Sequence, residues 1–224
     1  MFIDKSMTKA VVTVDPEAPI LEAKELMAKH KIRHLPVVEK DDTLIGIVTD
    51  RDIRSAMPSE LLTHEESQKE KEQASGIKIK DIMTKNPVTV SPFNTLEDAL
   101  LLMQKISVGA FPVVDQQGKL KGIISVKDLM RAFINVLGIE EPGTLLCILV
   151  DNKIGQMKRI VDAISEERIS FGSILVARHW EEDKRAIFPY LLTNQVGNVK
   201  RKLEKLGFTL LNPMDWCLDQ LPKK

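Results

Sequence analysis

Short β-branched runs alternate along the chain with stretches whose apolar positions recur every three to four residues, the marks of strands and amphipathic helices. Val11-Val12-Thr13-Val14 is one such run, closed by Asp15-Pro16. Ile20, Ala23 and Met27 then fall on one face of a helix, with Lys24, Glu25 and Lys29 on the other. Leu35-Pro36-Val37-Val38 and Leu44 to Val48 read as buried strands around an Asp41-Asp42 turn, and Thr49 opens a second helix through Ile53. The same order then returns, with Gln117-Gly118 as the turn. Met7 to Arg54 overlays Met83 to Met130 without a gap, with about 18 identities in 48 positions. One supersecondary unit is therefore used twice. Two copies are too few for a solenoid, so a pseudo-two-fold pair is expected, with a cleft on its axis.

Between the copies, Pro58 to Ser75 carries Glu60, Glu65, Glu66, Lys69, Glu70, Lys71 and Glu72 and few apolar residues. It reads as a solvated linker or helix. After Glu140-Glu141-Pro142-Gly143 the pattern changes. Thr144 to Val150 is an apolar strand, and Gly155 to Glu167 is amphipathic with Met157, Ile160, Val161 and Ile164 inward. Phe171 to His179 and Arg185 to Thr193 are strands about a Glu181–Lys184 turn. A helix from Val196 ends at Gly207, and Phe208 to Leu211 is a last strand. The order is βαββαβ, the ferredoxin-like split unit. Pro189 lacks the N–H a paired strand needs, which predicts a bulge.

Charge narrows the function. Lys+Arg and Asp+Glu are both 32, a formal net charge of zero, so the chain has no excess of cations for nucleic acid. No run approaches the ~20 apolar residues of a membrane span. The N-terminal stretch carries Asp4, Lys5, Lys9, Asp15 and Glu17 and reads as no signal-peptide core, so a cytoplasmic protein is expected. Cys147 and Cys217 lack metal-ligand spacing and read as free thiols.

The most specific signal is Gly46-Ile47-Val48-Thr49-Asp50-Arg51-Asp52 with its echo Gly122-Ile123-Ile124-Ser125-Val126-Lys127-Asp128. Each gives Gly, two apolar residues, Ser/Thr and an Asp three residues later, at a strand-to-helix junction. A plain helix cap explains either copy alone. Two copies on one axis also suit a nucleotide: a helix N-terminus meets phosphate, and a carboxylate one turn in accepts ribose hydroxyls. His30 and His34 are four apart but no third metal ligand is visible, Met27 and Met103 read as core, and no catalytic set is apparent.

These residues resemble cystathionine-β-synthase (CBS) domains: Met-Thr at the start, Val-Thr-Val, the Pro-Val-Val strand and the Gly-x-x-Ser/Thr-x-x-Asp junction. The pair resembles a Bateman module. The tail resembles an ACT domain, with Asp151-Asn152-Lys153-Ile154-Gly155 at that family's glycine loop, although Ile154 stands where a Pro is usual. The whole order is similar to the acetoin-utilisation protein B type. The resemblance implies an α+β chain: a CBS repeat over 1–57, a polar linker over 58–76, a second repeat over 77–136, an ACT domain over 143–212 and a tail over 213–224. It also implies a non-catalytic homodimer that binds AMP, ADP, ATP or another adenosyl ligand and acts on a regulated enzyme, with no cofactor and no metal. The alternative is an amino-acid sensor through the ACT domain.

Carried over, one site joins Ser125, Lys127 and Asp128 to Val12, Ile32, Arg33 and His34. The other joins Thr49, Arg51 and Asp52 to Val88, Val108 and Gly109. The Asp residues hold ribose, Val and Ile line the adenine slot, and hydroxyls with nearby cations meet phosphate. The guanidinium of Arg33 grips phosphate in bidentate fashion where Gly109 offers nothing. The Arg33 site, placed with Asp128, is thus expected to prefer charged nucleotides.

Overall fold

The computed structural model describes residues 1–57, 76–181 and 183–212. The linker over 58–75, the tail over 213–224 and Cys217 lie outside the described residues. The chain divides into two compact units, Met1–Met130 and Arg131–Lys224.

In the first unit, α1 (Ile20–His30) buries Ile20, Ala23 and Met27, the expected face. It stops because Lys31 turns left-handed at φ 54° and its N–H bonds back to the carbonyls of Met27 and Ala28. β1 (His34–Val38) and β2 (Leu44–Thr49) form an antiparallel hairpin in which His34 faces Thr49. α2 (Asp50–Ala56) follows, and α3 (Ile79–Ile82) is a single turn. The second copy repeats this with α4 (Leu96–Ile106), β4 (Ala110–Val114), β5 (Leu120–Ser125) and α5 (Val126–Leu137). α4 buries Leu96, Ala99 and Met103 and ends on Ser107, left-handed at φ 56°. Even the register irregularity recurs, between Val37 and Val38 and between Val113 and Val114.

The repeats exchange their leading segments. β3 (Thr84–Lys85), at the head of the second copy, pairs with β2 of the first. Thr8, its equivalent, bridges Ile123 in β5 through two hydrogen bonds of 3.0 Å. The glycines of the repeated motif serve this exchange: a Cβ on Gly46 would lie 2.5 Å from Met83 Sδ, and one on Gly122 would lie 2.5 Å from Met7 Sδ. The two hairpin turns also meet, with Leu44 N–H donating to Gly118 O and Leu120 N–H to Asp42 O. Lys119 bonds Asp41 across this junction and holds its carboxyl down to about 2.

The exchange corrects one expectation. The run Val11–Val14 forms no strand; only Val14 bridges, in parallel, to Val37, as Val90 does to Val113. The leading segment that carries the run is divided between the two repeats, Thr8 pairing with one and Val14 with the other, and the second copy has Pro87 in place of Val11 and its donor.

From Thr144 to Leu211 the described residues of the second unit form one antiparallel sheet with two helices. β6 (Thr144–Leu145) and β7 (Cys147–Asp151) lead to α6 (Gln156–Glu166), β8 (Phe171–Glu181), β9 (Lys184–Leu191), α7 (Gly197–Lys205) and β10 (Thr209–Leu211). The order across the sheet is β10-β7-β9, with β8 on the far edge of β9. Leu146, Ile148, Val150, Ile160, Ile164 and Leu203 build the core. Pro189 causes no bulge toward β6 and β7, whose register with β9 is constant. Instead the ladder is interrupted at Leu146, which donates to Pro189 O and gets no N–H in return. Register shifts fall on the other side of β9, in β8 between Phe171 and Ser173 and between Ala177 and Glu181. Cys147 is buried and free, and desolvation pushes its thiol up to about 11.

Candidate functional site

Both Ser/Thr-x-x-Asp motifs form reciprocal caps. Thr49 N–H and Thr49 Oγ1–H donate to Asp52 Oδ2 at 2.8 and 2.7 Å, and Asp52 N–H donates to Thr49 Oγ1 at 3.3 Å. Ser125 and Asp128 repeat the pattern, with Ser125 N–H 2.9 Å from Asp128 Oδ2. The local reading of the motif is therefore met in both copies. Capping uses only Oδ2 of Asp52; no donor among the described residues bonds Oδ1.

A cavity of about 530 Å³ opens beside Asp52, within the ~300–1,000 Å³ range of small-molecule sites. Six of the sequence-derived residues line it together: Thr49, Arg51, Asp52, Val88, Val108 and Gly109. Arg33 and His34 line it too, although the carried-over pattern pairs them with Asp128. Hairpin pairing explains the difference. His34 sits opposite Thr49, and Asp50 N–H donates to Arg33 O at 3.1 Å, so both residues start beside the Asp52 motif. Gly109 completes the arrangement, since a Cβ there would stand 3.3 Å from the His34 ring. Val12 and Ile32 pack against the core of the first repeat. Asp128 is buried, Ser125 half-buried and Lys127 exposed, and none of the three lines this cavity.

His34 is half-buried, and its pKa lies below the ordinary 6.5 because burial and then Arg33 disfavour the imidazolium, against a weaker opposing pull from Asp52. Sequence reasoning missed Arg54, Ile106, Ser107 and Pro87, all in the lining. Arg54 had a signal, one helical turn beyond Asp50, to which it is bridged at 2.6 Å. Ser107 had none, because its place follows from the end of α4. Among the described residues no group of three or more His, Cys, Asp or Glu side chains is placed to hold a metal. No helix among them is long and apolar enough to cross a membrane.

Fold and cleft together define a tandem-repeat module with a ligand-sized cavity between its copies. The chain belongs to the CBS domain family, whose profile matches residues 3–59 and 79–135. It is 34% identical over 137 residues to a CBS domain-containing protein of Dictyostelium discoideum, covering 61% of this chain and 94% of that protein. It is 36% identical over 190 residues to the inosine-5'-monophosphate dehydrogenase of Aquifex aeolicus, covering 73% of this chain but only 36% of that enzyme. Among solved structures, CBSX2 in complex with AMP matches with a TM-score of 0.50 and 31% identity, over 59% of this chain and 96% of that one. A putative acetoin utilization protein (AcuB) from Vibrio cholerae matches with a TM-score of 0.52 and 29% identity, over 63% of this chain and 98% of that one.

Proposed function

We propose that this chain is a non-catalytic cytoplasmic regulator that binds an adenosyl ligand in the Asp52 cavity. The observation that carries the reading is the meeting of Asp52 and Thr49 from one repeat with the apolar slot of Val88, Ile106 and Val108 from the other. Asp52 Oδ1 accepts ribose hydroxyls, and the slot takes the flat base. The AMP bound by CBSX2 supports this class of ligand. Because the ligand touches both repeats, it favours whichever of their relative arrangements it binds better, and that difference sets the size of the signal. The same reading extends to the cleft of Asp128, where Val12 and Ile32 flank the second base.

The second unit acts as an ACT domain that passes the signal to a regulated enzyme or takes a second effector. Its β7-α6-β8-β9-α7-β10 order and β10-β7-β9-β8 sheet support the ferredoxin-like reading. The likeness to AcuB supports a link to acetoin utilisation. The chain works as a homodimer, a reading supported by apolar residues exposed on the second repeat. The alternative, an amino-acid sensor, is favoured by a cavity of about 250 Å³ in the second unit lined by Asp151, Gln156, Arg159 and Lys184. Calorimetric titration separates the two: adenosyl compounds give saturable heat and free amino acids give none. Heat with an amino acid alone would favour the alternative.

A further inference from the structure

The two repeats end differently. α2 stops at Ala56 after seven residues. Its counterpart α5 runs for twelve, Val126–Leu137, a length of about 18 Å. It starts on the Ser125–Asp128 cap in the first unit and finishes in the second, because the units divide between Met130 and Arg131. Its far end is held by a clasp of glycines around one tyrosine. Gly138 closes the helix, left-handed at φ 65°, with its N–H donating to Ile134 O at 3.1 Å. A Cβ on Gly138 would lie 3.1 Å from Gly172 Cα, so backbone meets backbone there with no side chain between. Gly172 is the residue left over where the β8 register shifts between Phe171 and Ser173. The Tyr190 ring covers it: a Cβ on Gly172 would lie 2.7 Å from Tyr190 Cδ1, and one on Gly143 would lie 2.9 Å from Tyr190 Cζ. Tyr190 O–H then donates to Glu141 O at 2.6 Å, in the segment that follows α5.

We propose that α5 and the clasp at Tyr190 form the device by which a ligand in the cleft of Asp128 acts on the second unit. The proposal rests on the adenosyl-ligand reading of that cleft and names the element that carries its signal. In that reading Asp128 both caps α5 and accepts the ribose, so a ligand that draws on Asp128 displaces the start of the helix. The ladder of N–H to O=C bonds along α5 resists stretching, so the shift reaches Gly138 instead of being absorbed on the way. Helix shifts in such transitions are about 1–2 Å. Backbone in contact at Gly138 and Gly172 has no slack for that, and the clasp opens. Its hydrogen bond faces solvent, so water replaces Glu141 O at little cost. α2 ends at Ala56, within the first unit, so the Asp52 cap lacks this route.

Tyr190 is the only tyrosine of the chain, so full-length protein made with fluorotyrosine gives one fluorine resonance, and it reports the clasp. Titration with AMP and with ATP should shift that resonance saturably. Asp128→Ala should abolish the shift. Without ligand, Asp128→Ala should itself move the resonance, because it removes the cap of α5, and Asp52→Ala should leave it in place. Gly172→Ala pushes a Cβ against the Tyr190 ring and opens the clasp. Coupling is reciprocal, so this variant, confirmed folded by circular dichroism, should change nucleotide affinity at the Asp128 cleft by about fivefold or more. Tyr190→Phe removes only the hydroxyl and should change it less, in the same direction. A resonance that ignores both nucleotide and Asp128→Ala, or Gly172→Ala and Tyr190→Phe proteins that bind nucleotide as the wild type does, would overturn the proposal. A resonance that moves with Asp128→Ala in a chain that binds neither nucleotide would keep the α5 linkage and overturn the adenosyl reading beneath it.

Discussion

At the scale of single residues, the site is a local motif finished by non-local neighbours. Asp52 and Thr49 were legible in the sequence because a cap spans only four residues and its bonding follows from the backbone. The cleft served by Arg33 was not legible, because it depends on which strand His34 pairs with and on the close approach of the His34 ring to Gly109. His34 carries the pH prediction. Its folded pKa lies below 6.5, so the folded chain binds protons less readily than the unfolded one. The stability this contributes is complete above the unfolded value and declines as pH falls through 6.5 toward the folded pKa. The charged groups lining the cavity with it are Arg33 on its own strand and Asp50, Arg51, Asp52 and Arg54 from α2 and its cap. A polyphosphate tail adds negative charge and raises the His34 pKa, so ATP affinity should strengthen between pH 8 and pH 6 while adenosine affinity stays flat. His34→Gln should remove the slope; an unchanged slope in that variant would assign it to another group.

At the scale of elements, the repeat was visible because identities fall at fixed spacing, and the helices because their buried faces recur every three to four residues. The Val11–Val14 strand was misread because β-branched content reports an extended backbone and not the partner that would complete a ladder. The exchange of leading segments had a signal, the joint repetition of Met-Thr and Gly-Ile, whose meaning appears only when Met83 is seen lying over Gly46. Gly46→Ala places a Cβ 2.5 Å from Met83 Sδ and 3.2 Å from Thr84 O. It should cost about 1–3 kcal/mol by overpacking. Met83→Ala should cost less in the Gly46→Ala background than in the wild type, because it relieves the sulfur contact. Urea denaturation of the four proteins measures the coupling; strict additivity would show that Met83 does not press on position 46.

At the scale of the whole molecule, the two copies differ in the apolar side chains they expose. Leu101 and Met130 are 64% and 59% exposed, where the first copy has Glu25 and Arg54. Phe93 is 80% exposed, and its equivalent is Glu17. Apolar side chains grouped on one copy and charged ones on the other suit a dimer through the second repeat. Leu101→Glu with Met130→Arg, which copies the first repeat, should convert a dimer to a folded monomer in sedimentation at micromolar concentration. A wild-type monomer, or a dimer indifferent to the pair of changes, would contradict this. The central claim is a saturable, non-catalytic nucleotide site at Asp52, and equilibrium dialysis with labelled ATP tests it most directly. The wild type should bind ATP saturably and return it chemically unchanged. Asp52→Ala, confirmed folded by circular dichroism because it also loses a helix cap, should lose about 10- to 150-fold in affinity. Undiminished binding by Asp52→Ala, or recovery of a hydrolysed or transferred product, would contradict the account.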